Sequence, residues 1–235
     1  MRRSALLVFS AVVAVLLSSG VVLAATVECY PAPDRCLGTD GPDAIHGSAL
    51  RDAINAKAGP DQVHADGGDD TVYGSGGDDS LHGDAGDDSL HGNGGHDTIV
   101  GGPGRDTATA DGLSEDADEY RGGPGADEIY DAGGRNTIAG GPGDDYVYGR
   151  GRLVGGKGDD TLRGDSDSSQ AEPRVFVGGA GEDRVYSRRD TDDTIYVSDG
   201  ERDAVATCGG GTDTVYFDEG LDEVDPTSCE NLIPG

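Results

Sequence analysis

The chain has 235 residues, of which 42 are glycine, three are phenylalanine and none is tryptophan, so large side chains cannot supply a conventional core. Its formal net charge of -29, from 46 acidic against 17 basic residues, opposes a compact state unless cations neutralise it. The same charge argues against nucleic acid and acidic membrane surfaces as partners, because Lys and Arg are needed to bind phosphate groups. This composition therefore predicts divalent cations as partners.

The N-terminal segment, residues 1–25, predicts a signal peptide. Arg2 and Arg3 precede an apolar run, residues 5–17, and small residues provide a cleavage site near Ala24 or Ala25. An uncleaved membrane anchor is the alternative, because the apolar character continues beyond this run. We therefore expect a mature protein that is secreted and extracellular, without insertion into a membrane.

Four cysteines in an exported chain predict two disulfide bonds. Near neighbours are the expected pairs, which joins Cys29 to Cys36 before the first repeat and Cys208 to Cys229 around the last. Free or cross-paired thiols are the alternative. With the expected pairing, the two bridges lie in caps at the ends of a repeat array, where strand edges would otherwise be exposed.

Between the cysteine pairs, an aspartate recurs at a fixed interval. From Asp43 to Asp106 it is found at every ninth residue, and two residues later there is usually a large apolar side chain such as Leu81. Residues 74–82 (GSGGDDSLH) and 83–91 (GDAGDDSLH) approach the form GGxGxDxUx, in which U is a large apolar residue. A fixed period of this kind predicts a repeat architecture.

This nonapeptide resembles the calcium-binding repeat of the RTX, or hemolysin-type, family, and the resemblance covers nearly the whole mature chain. In that family an ion lies between successive turns, bound by the aspartate at position six and by backbone carbonyl groups. The resemblance implies Ca²⁺ as the cofactor, with several ions per molecule. The aspartates expected to bind metal are Asp61, Asp70, Asp79, Asp88, Asp97, Asp106, Asp127, Asp145, Asp160 and Asp183.

The residue types of one unit predict its local structure. Glycines permit tight turns, and the last three residues alternate like a short strand whose middle side chain faces inward. We predict an all-β fold, a parallel β-roll (β-solenoid) of nonapeptides with two units per coil, one apolar layer between two sheets and disulfide-capped ends. The expected organisation is a signal peptide (1–25), an N-terminal cap (26–37), the calcium-binding β-roll (38–206) and a C-terminal cap (207–235).

Alternate units fall on opposite edges of such a roll. On one edge, which we call the intact edge, position six is an aspartate in every unit from Asp52 to Asp203. Stacked bare carboxylates repel, and calcium accepts several oxygen ligands at once. We therefore predict a continuous calcium ladder from Asp70 to Asp183 on this edge. Beyond Asp183 the turns lose their glycines, and those units are expected to stack without calcium.

The opposite edge, which we call the interrupted edge, keeps its aspartates only in the first part of the array. Position six later becomes Asn136, Gly151 and Arg174, with insertions and a deletion between them. We expect a short calcium ladder before the interruption, at Asp61, Asp79 and Asp97. Arginines appear where the carboxylates vanish, and their guanidinium groups are expected to neutralise this edge: Arg150, Arg152, Arg174, Arg188 and Arg189.

Position nine carries histidine in one column, at His46, His64 and His82. Outward-facing imidazoles at strand spacing are suitable ligands for zinc or copper. The alternative is that these residues are simply exposed strand positions. Exposed strand positions of this kind are the more common case.

The function expected from these patterns is a secreted calcium-binding protein whose repeats fold when Ca²⁺ binds between stacked turns. The alternative is an extracellular structural or adhesion protein whose interrupted edge binds a polysaccharide or a cell-surface partner protein. An enzyme is not expected, since the chain has no HExxH or GxSxG motif and the repeats occupy its length.

Overall fold

The structure, a computed structural model, describes part of the chain: residues 12–13, 25–29, 35–109, 116–131, 133–165, 172–188 and 191–235. These residues form strands and turns. None of them belongs to a helix with the length and apolar character needed to span a bilayer. The predicted signal peptide lies outside the described residues except for Val12, Val13 and Ala25.

The strands follow one another with short turns between them. In chain order they are β1 (Val12–Val13), β2 (Ala25–Glu28), β3 (Cys36–Leu37), β4 (Asp43–Ser48), β5 (Ala53–Ala58), β6 (Gln62–Asp66), β7 (Thr71–Gly76), β8 (Ser80–His82), β9 (Ser89–Gly94), β10 (Thr98–Val100), β11 (Thr107–Thr109), β12 (Glu119–Arg121), β13 (Glu128–Asp131), β14 (Thr137–Pro142), β15 (Tyr146–Gly149), β16 (Arg152–Lys157), β17 (Thr161–Gly164), β18 (Val175–Ala180), β19 (Arg184–Tyr186), β20 (Thr194–Tyr196), β21 (Ala204–Thr207), β22 (Thr214–Phe217), β23 (Glu223–Val224) and β24 (Asn231–Pro234).

The strands are distributed alternately between two sheets. A 13-stranded sheet contains β1 and the even-numbered strands, and an 11-stranded sheet contains the odd-numbered strands from β3 to β23. Neighbouring strands are parallel, as in β6–β8 and β7–β9, except that β1 pairs antiparallel with β2. Each turn carries the chain to the other sheet, so two units complete one coil. The predicted parallel β-solenoid is confirmed, with about 11 turns.

The sheets keep their register where the sequence changes its period. Leu81 pairs with Ile99 across a regular coil, and Ile99 pairs with Tyr120 across the first insertion. Ile138 pairs with Leu153 across the deletion. The changes in length are therefore absorbed by the turns, while the strands continue to stack.

The core is a single layer of side chains between the two sheets. Its members come from the middle position of each strand, and Leu81, Leu90 and Val147 are each 0% exposed. Such a layer removes apolar area from water at roughly 25 cal/mol per Å². Because it is only one side chain thick, it offers little apolar surface per residue to offset the conformational entropy of folding.

Two disulfide bonds lie near the ends of the roll. Cys29 is bonded to Cys36, and Cys208 is bonded to Cys229. The expected pairing is therefore confirmed, and the described residues include no free cysteine.

Candidate metal sites

The aspartates of the intact edge are joined from coil to coil by hydrogen bonds. The backbone N–H of Asp70 donates to Oδ1 of Asp88 at 2.8 Å, and the backbone N–H of Asp88 donates to Oδ1 of Asp106 at 2.9 Å. The same bond repeats without a break from Asp52 to Asp222, at 2.7–3.0 Å. The last member, Asp222, was missed by the sequence reasoning because it is out of step with the repeat.

The interrupted edge carries the same bond in two separate stretches. The first runs from Asp43 to Asn136. Gly151 then provides no side chain, and a second stretch runs from Arg174 to Glu230, whose Oε2 accepts the N–H of Asp213. The predicted difference between the two edges is thus visible in their hydrogen bonding.

The second carboxylate oxygen, Oδ2, is buried without a hydrogen-bond partner in most aspartates of the two columns. This holds for every aspartate expected to bind metal: Asp61, Asp70, Asp79, Asp88, Asp97, Asp106, Asp127, Asp145, Asp160 and Asp183. Asp203 and Asp213 share the feature, although the sequence reasoning excluded their units. A buried polar atom without a partner is costly, so each of these oxygens indicates a missing ligand.

In eight of the ten aspartates expected to bind metal, this oxygen faces a glycine at position one of its own turn. A Cβ atom added to Gly83 would collide with Oδ2 of Asp88 and would lie 2.8 Å from the carbonyl oxygen of Gly101 on the next coil. The absent side chain thus leaves a small space that is lined by oxygens from two coils. The collision with Oδ2 recurs at Gly74, Gly83, Gly92, Gly101, Gly122, Gly140, Gly155 and Gly178.

The turns of Asp61 and Asp70 differ in this respect. Position one is Ala56 in the first and Ala65 in the second, and both side chains are fully buried. Their methyl groups occupy the place that is open beside Gly83. These two sites are therefore more crowded than the eight that follow.

The remaining glycines of the motif serve the backbone of the turn. Positions two and four have positive φ, as at Gly102 (117°) and Gly104 (153°). Glycine adopts this conformation without the penalty that a Cβ imposes. In the earlier coils position two is instead a residue such as Ser75 (84°) or Asp84 (67°).

Burial raises the pKa of the stacked carboxyl groups. Loss of hydration is the largest cause, and it raises the pKa of Asp88 to about 6 and that of Asp160 to about 8. The N–H of Asp145 lowers the pKa of Asp160, whereas the charges of Asp183 and Asp145 raise it further. The stacked carboxylates therefore repel one another at neutral pH unless a cation lies beside them.

Asp43 and Asp52 begin the two columns but lack this feature. The N–H and hydroxyl groups of Thr39 donate to the carboxylate of Asp43, and those of Ser48 donate to Oδ2 of Asp52. Hydroxyl residues at position two thus satisfy the first carboxylate of each edge. Neither Asp43 nor Asp52 is among the residues that the sequence predicts to bind metal.

On the interrupted edge, Arg174 takes the place of an aspartate at position six. It is 2% exposed, its Nη1 lies 3.7 Å from Oδ2 of Asp193, and its Nη2 donates to the carbonyl of Asp165 at 2.9 Å. Arg150 similarly donates to Asp165 at 2.7 Å. The expected neutralisation by guanidinium groups is confirmed for these two residues, whereas Arg189 lies outside the described residues.

The donor set fits calcium. It consists of carboxylate and carbonyl oxygens, which are the ligands that Ca²⁺ takes in irregular geometry. The residues that would hold the ions are the ten aspartates named above, together with position-one carbonyls such as that of Gly101. A bound divalent cation would supply positive charge between coils, where the column otherwise carries only negative charge.

Comparison with known families agrees with this geometry. The model of the RTX calcium-binding nonapeptide repeat, in four copies, matches residues 37–72, 46–81, 73–108, 121–151 and 148–168. These segments cover slightly more than half of the chain and contain all the expected metal-binding aspartates except Asp183. No curated protein matches the chain. On the family match, the chain belongs to the RTX calcium-binding nonapeptide repeat family.

Proposed function

We propose that this protein is a secreted calcium-binding protein whose repeats fold when Ca²⁺ binds between stacked turns. The observation that carries the proposal is the column of buried Oδ2 atoms that have no hydrogen-bond partner. In the absence of a cation, the folded roll must bury these charges against one another or protonate them. Calcium binding would therefore contribute directly to the free energy of folding.

The rest of the fold supports a coupling between the ion and folding. The apolar layer is thin, and the formal net charge of -29 repels the coils from one another. Extracellular sites commonly bind calcium at roughly 10⁻⁴–10⁻³ M, so a site assembled only on folding is adequate outside the cell. The two disulfide bonds are also of the kind that persist in an oxidising compartment.

We assign the metal sites to the ten aspartates from Asp61 to Asp183 that the repeat places at position six. Most of these aspartates lie on the intact edge. The roll comprises residues 38–206, and the caps, residues 26–37 and 207–235, lie outside it. Asp203 and Asp213 are left out, because position one of their turns carries Ser198 and the disulfide-bonded Cys208, which are both larger than the alanines at position one in the turns of Asp61 and Asp70. We assign no catalytic activity to the chain.

A calcium titration followed by circular dichroism tests the proposal. The chain should have little strand structure in EDTA and should gain it cooperatively as Ca²⁺ is added, whereas Mg²⁺ at the same concentration should not replace calcium. Calorimetry of the same titration should give a stoichiometry near that of the eight glycine-lined sites. Complete strand structure in EDTA would contradict the coupling of folding to calcium.

A second candidate function is adhesion through the interrupted edge. Four arginines line a cleft of about 430 Å³ there, together with Glu172: Arg135, Arg150, Arg152 and Arg174. Arg135 donates to Glu172 at 2.6 Å, and Arg152 is exposed. In a strongly acidic chain, this cleft is suited to the sulfate or carboxylate groups of an acidic polysaccharide.

Binding to dextran sulfate, with neutral dextran as the comparison, tests this second candidate in the presence of calcium. The double variant Arg135→Ser/Arg152→Ser should weaken binding to dextran sulfate. Arg202→Ser is the matched control, since Arg202 is an exposed arginine that pairs with Glu223 away from the cleft. Equal binding to both polymers, or an unchanged affinity in the double variant, would reject adhesion through this cleft.

A further inference from the structure

A second kind of side-chain cluster lies on the outer face of the 13-stranded sheet. His64 in β6 pairs with His82 in β8, and their rings stack with centroids 4.5 Å apart and planes 11° apart. Asp84 follows in the next turn, with Oδ2 lying 3.2 Å from Nδ1 of His64. One potential ligand atom from each residue lies within 4.8 Å of the other two.

The roll holds these three side chains in place by its stacking. The parallel pairing of β6 with β8 fixes the spacing of the two histidines, and Nε2 of His82 contacts Oγ of Ser80 at 3.3 Å. Asp84 has a φ of 67°, at a turn position where the next coil has Gly102. The carboxylate of Asp84 thus lies beside His64 because Asp84 adopts a backbone conformation for which the next coil uses glycine.

We propose that His64, His82 and Asp84 bind one divalent transition-metal ion, of which Zn²⁺ is the representative probe. Two imidazole nitrogens and a carboxylate oxygen are typical zinc ligands at about 2.0–2.1 Å. The set is distinct from the calcium sites, which offer oxygen ligands only. Three protein ligands leave a coordination position for water or for an external group.

Binding requires only a small rearrangement. The stacked rings must turn so that a nitrogen of each points at a common centre, and the side chains have the freedom to do so. His64 is 39% exposed and Asp84 is 38% exposed, so neither is held by packing on all sides. The strongly negative chain also attracts a cation to this face.

The other outward histidine column gives a contrast within the same molecule. His91 stacks on Tyr73 with centroids 4.6 Å apart, and its Nδ1 lies 2.6 Å from Oγ1 of Thr109. This group contains a single imidazole and no acidic ligand. His91 is therefore the matched control for the cluster of His64, His82 and Asp84.

Calorimetric titration of the calcium-saturated full chain with Zn²⁺ tests the inference. The wild-type chain should bind one Zn²⁺ at this site. Asp84→Asn should weaken binding by about tenfold or more, and His64→Ser/His82→Ser should abolish it. His91→Ser should bind like the wild type, and circular dichroism in calcium should show the same strand content for all four proteins.

The spectrum of bound Cu²⁺ provides a second readout that does not depend on affinity. Electron paramagnetic resonance of the Cu²⁺ adduct should show coupling to two nitrogens, and His64→Ser/His82→Ser should remove it. The inference is overturned if the wild-type chain binds no Zn²⁺, or if the double variant binds Zn²⁺ as tightly as the wild type. An unchanged copper spectrum in the double variant would also overturn it.

Discussion

The backbone N–H of Asp127 donates to Oδ1 of Asp145 at 2.8 Å, while Oδ2 of Asp145 is buried without a hydrogen-bond partner. One carboxylate thus has two separate tasks: one oxygen joins its coil to the preceding coil, and the other is free for a cation. Because the coils of the intact edge from Asp70 to Asp203 repeat this arrangement, loss of the ion at one coil should weaken the stacking of its neighbours. Stability in such an array depends on nearest-neighbour interfaces.

Substitution of Asp145 by Asn separates the two tasks. The interrupted edge already has an asparagine at this position of the repeat. Oδ1 of Asn136 accepts the N–H of Asp118, while its Nδ2 donates to the carbonyl of Gly133. Asp145→Asn should therefore keep the link between coils and lose calcium affinity. Without calcium it should be at least as stable as the wild type, because one buried charge has been removed.

Calorimetric titration with calcium measures the lost affinity of Asp145→Asn. Denaturation with and without calcium measures the effect of the substitution on stability. Asp144→Asn is the control, because the neighbouring carboxylate is exposed. It should change calcium stoichiometry little. If Asp145→Asn destabilised the calcium-free protein as much as the calcium-bound one, Oδ2 would have a structural partner rather than an ion.

Filling one glycine space should block one calcium site. Gly83 does not have a positive φ, and the Cβ of Gly83→Ala would collide with Oδ2 of Asp88 and lie 2.8 Å from the carbonyl oxygen of Gly101. We expect one fewer Ca²⁺ per chain in calorimetry. Gly76→Ala is the control, since its nearest neighbour would be 4.0 Å away and its φ is not positive either. Equal stoichiometry in both variants would place the ion elsewhere.

The pH dependence of the calcium-free protein follows from the raised pKa values. Folding raises the pKa of Asp88 to about 6 and that of Asp160 to about 8, compared with about 3.9 for an unfolded Asp. The folded state thus binds more protons than the unfolded state, so its stability is greatest below about pH 4 and falls towards about pH 8. Calcium competes with these protons, and its affinity should rise over the same window.

Strand content measured at several pH values in calcium-free buffer tests the direction of this pH dependence. It should decrease as the pH rises from about 4 to about 8. With saturating calcium, the strand content should change little over the upper part of this range. A calcium-free protein that gained strand structure with rising pH would show that the aspartates are stabilised as anions by another partner.

The sequence predicted the regular parts of this molecule well because its period is the period of the fold. Two residues after each aspartate, an apolar side chain such as Leu81 or Leu90 is fully buried, and alternate aspartates stack as expected. The ladder members Asp222 and Glu230 could not be predicted, since they reach their positions from turns outside the repeat. Only three-dimensional stacking brings them to the ends of the two edges.

The position-two residues show a second limit of the sequence pattern. Thr39 and Ser48 look like ordinary turn residues, yet their donors satisfy the carboxylates of Asp43 and Asp52. Asp84 likewise reads as one more turn aspartate, and only the stacking of coils places it beside His64. The pattern identifies which residues lie on one edge, whereas the direction of each side chain depends on the backbone of its turn.

The guanidinium group of Arg174 should be essential to the later coils of the interrupted edge. The side chain of Asp193 is 0% exposed, and the guanidinium group of Arg174 lies 3.7 Å from its carboxylate. Arg174→Met removes the positive charge and keeps most of the side-chain volume. The carboxylate then stays buried without a cation, which costs about 3–5 kcal/mol when one member of a buried pair is removed.

Chemical denaturation of the calcium-bound protein measures this loss, and Arg152→Met is the control because Arg152 is exposed on the same edge. Its stability should stay close to that of the wild type. Arg174→Met/Asp193→Asn removes both charges, and it should recover part of the stability lost in Arg174→Met, since the buried anion is gone. If Arg174→Met unfolded at the same denaturant concentration as the wild-type protein, the edge would not depend on a guanidinium group for its charge balance. The hydroxyl groups of Ser187 and Thr191, which donate to the carboxylate of Asp193, would then be sufficient to hold it.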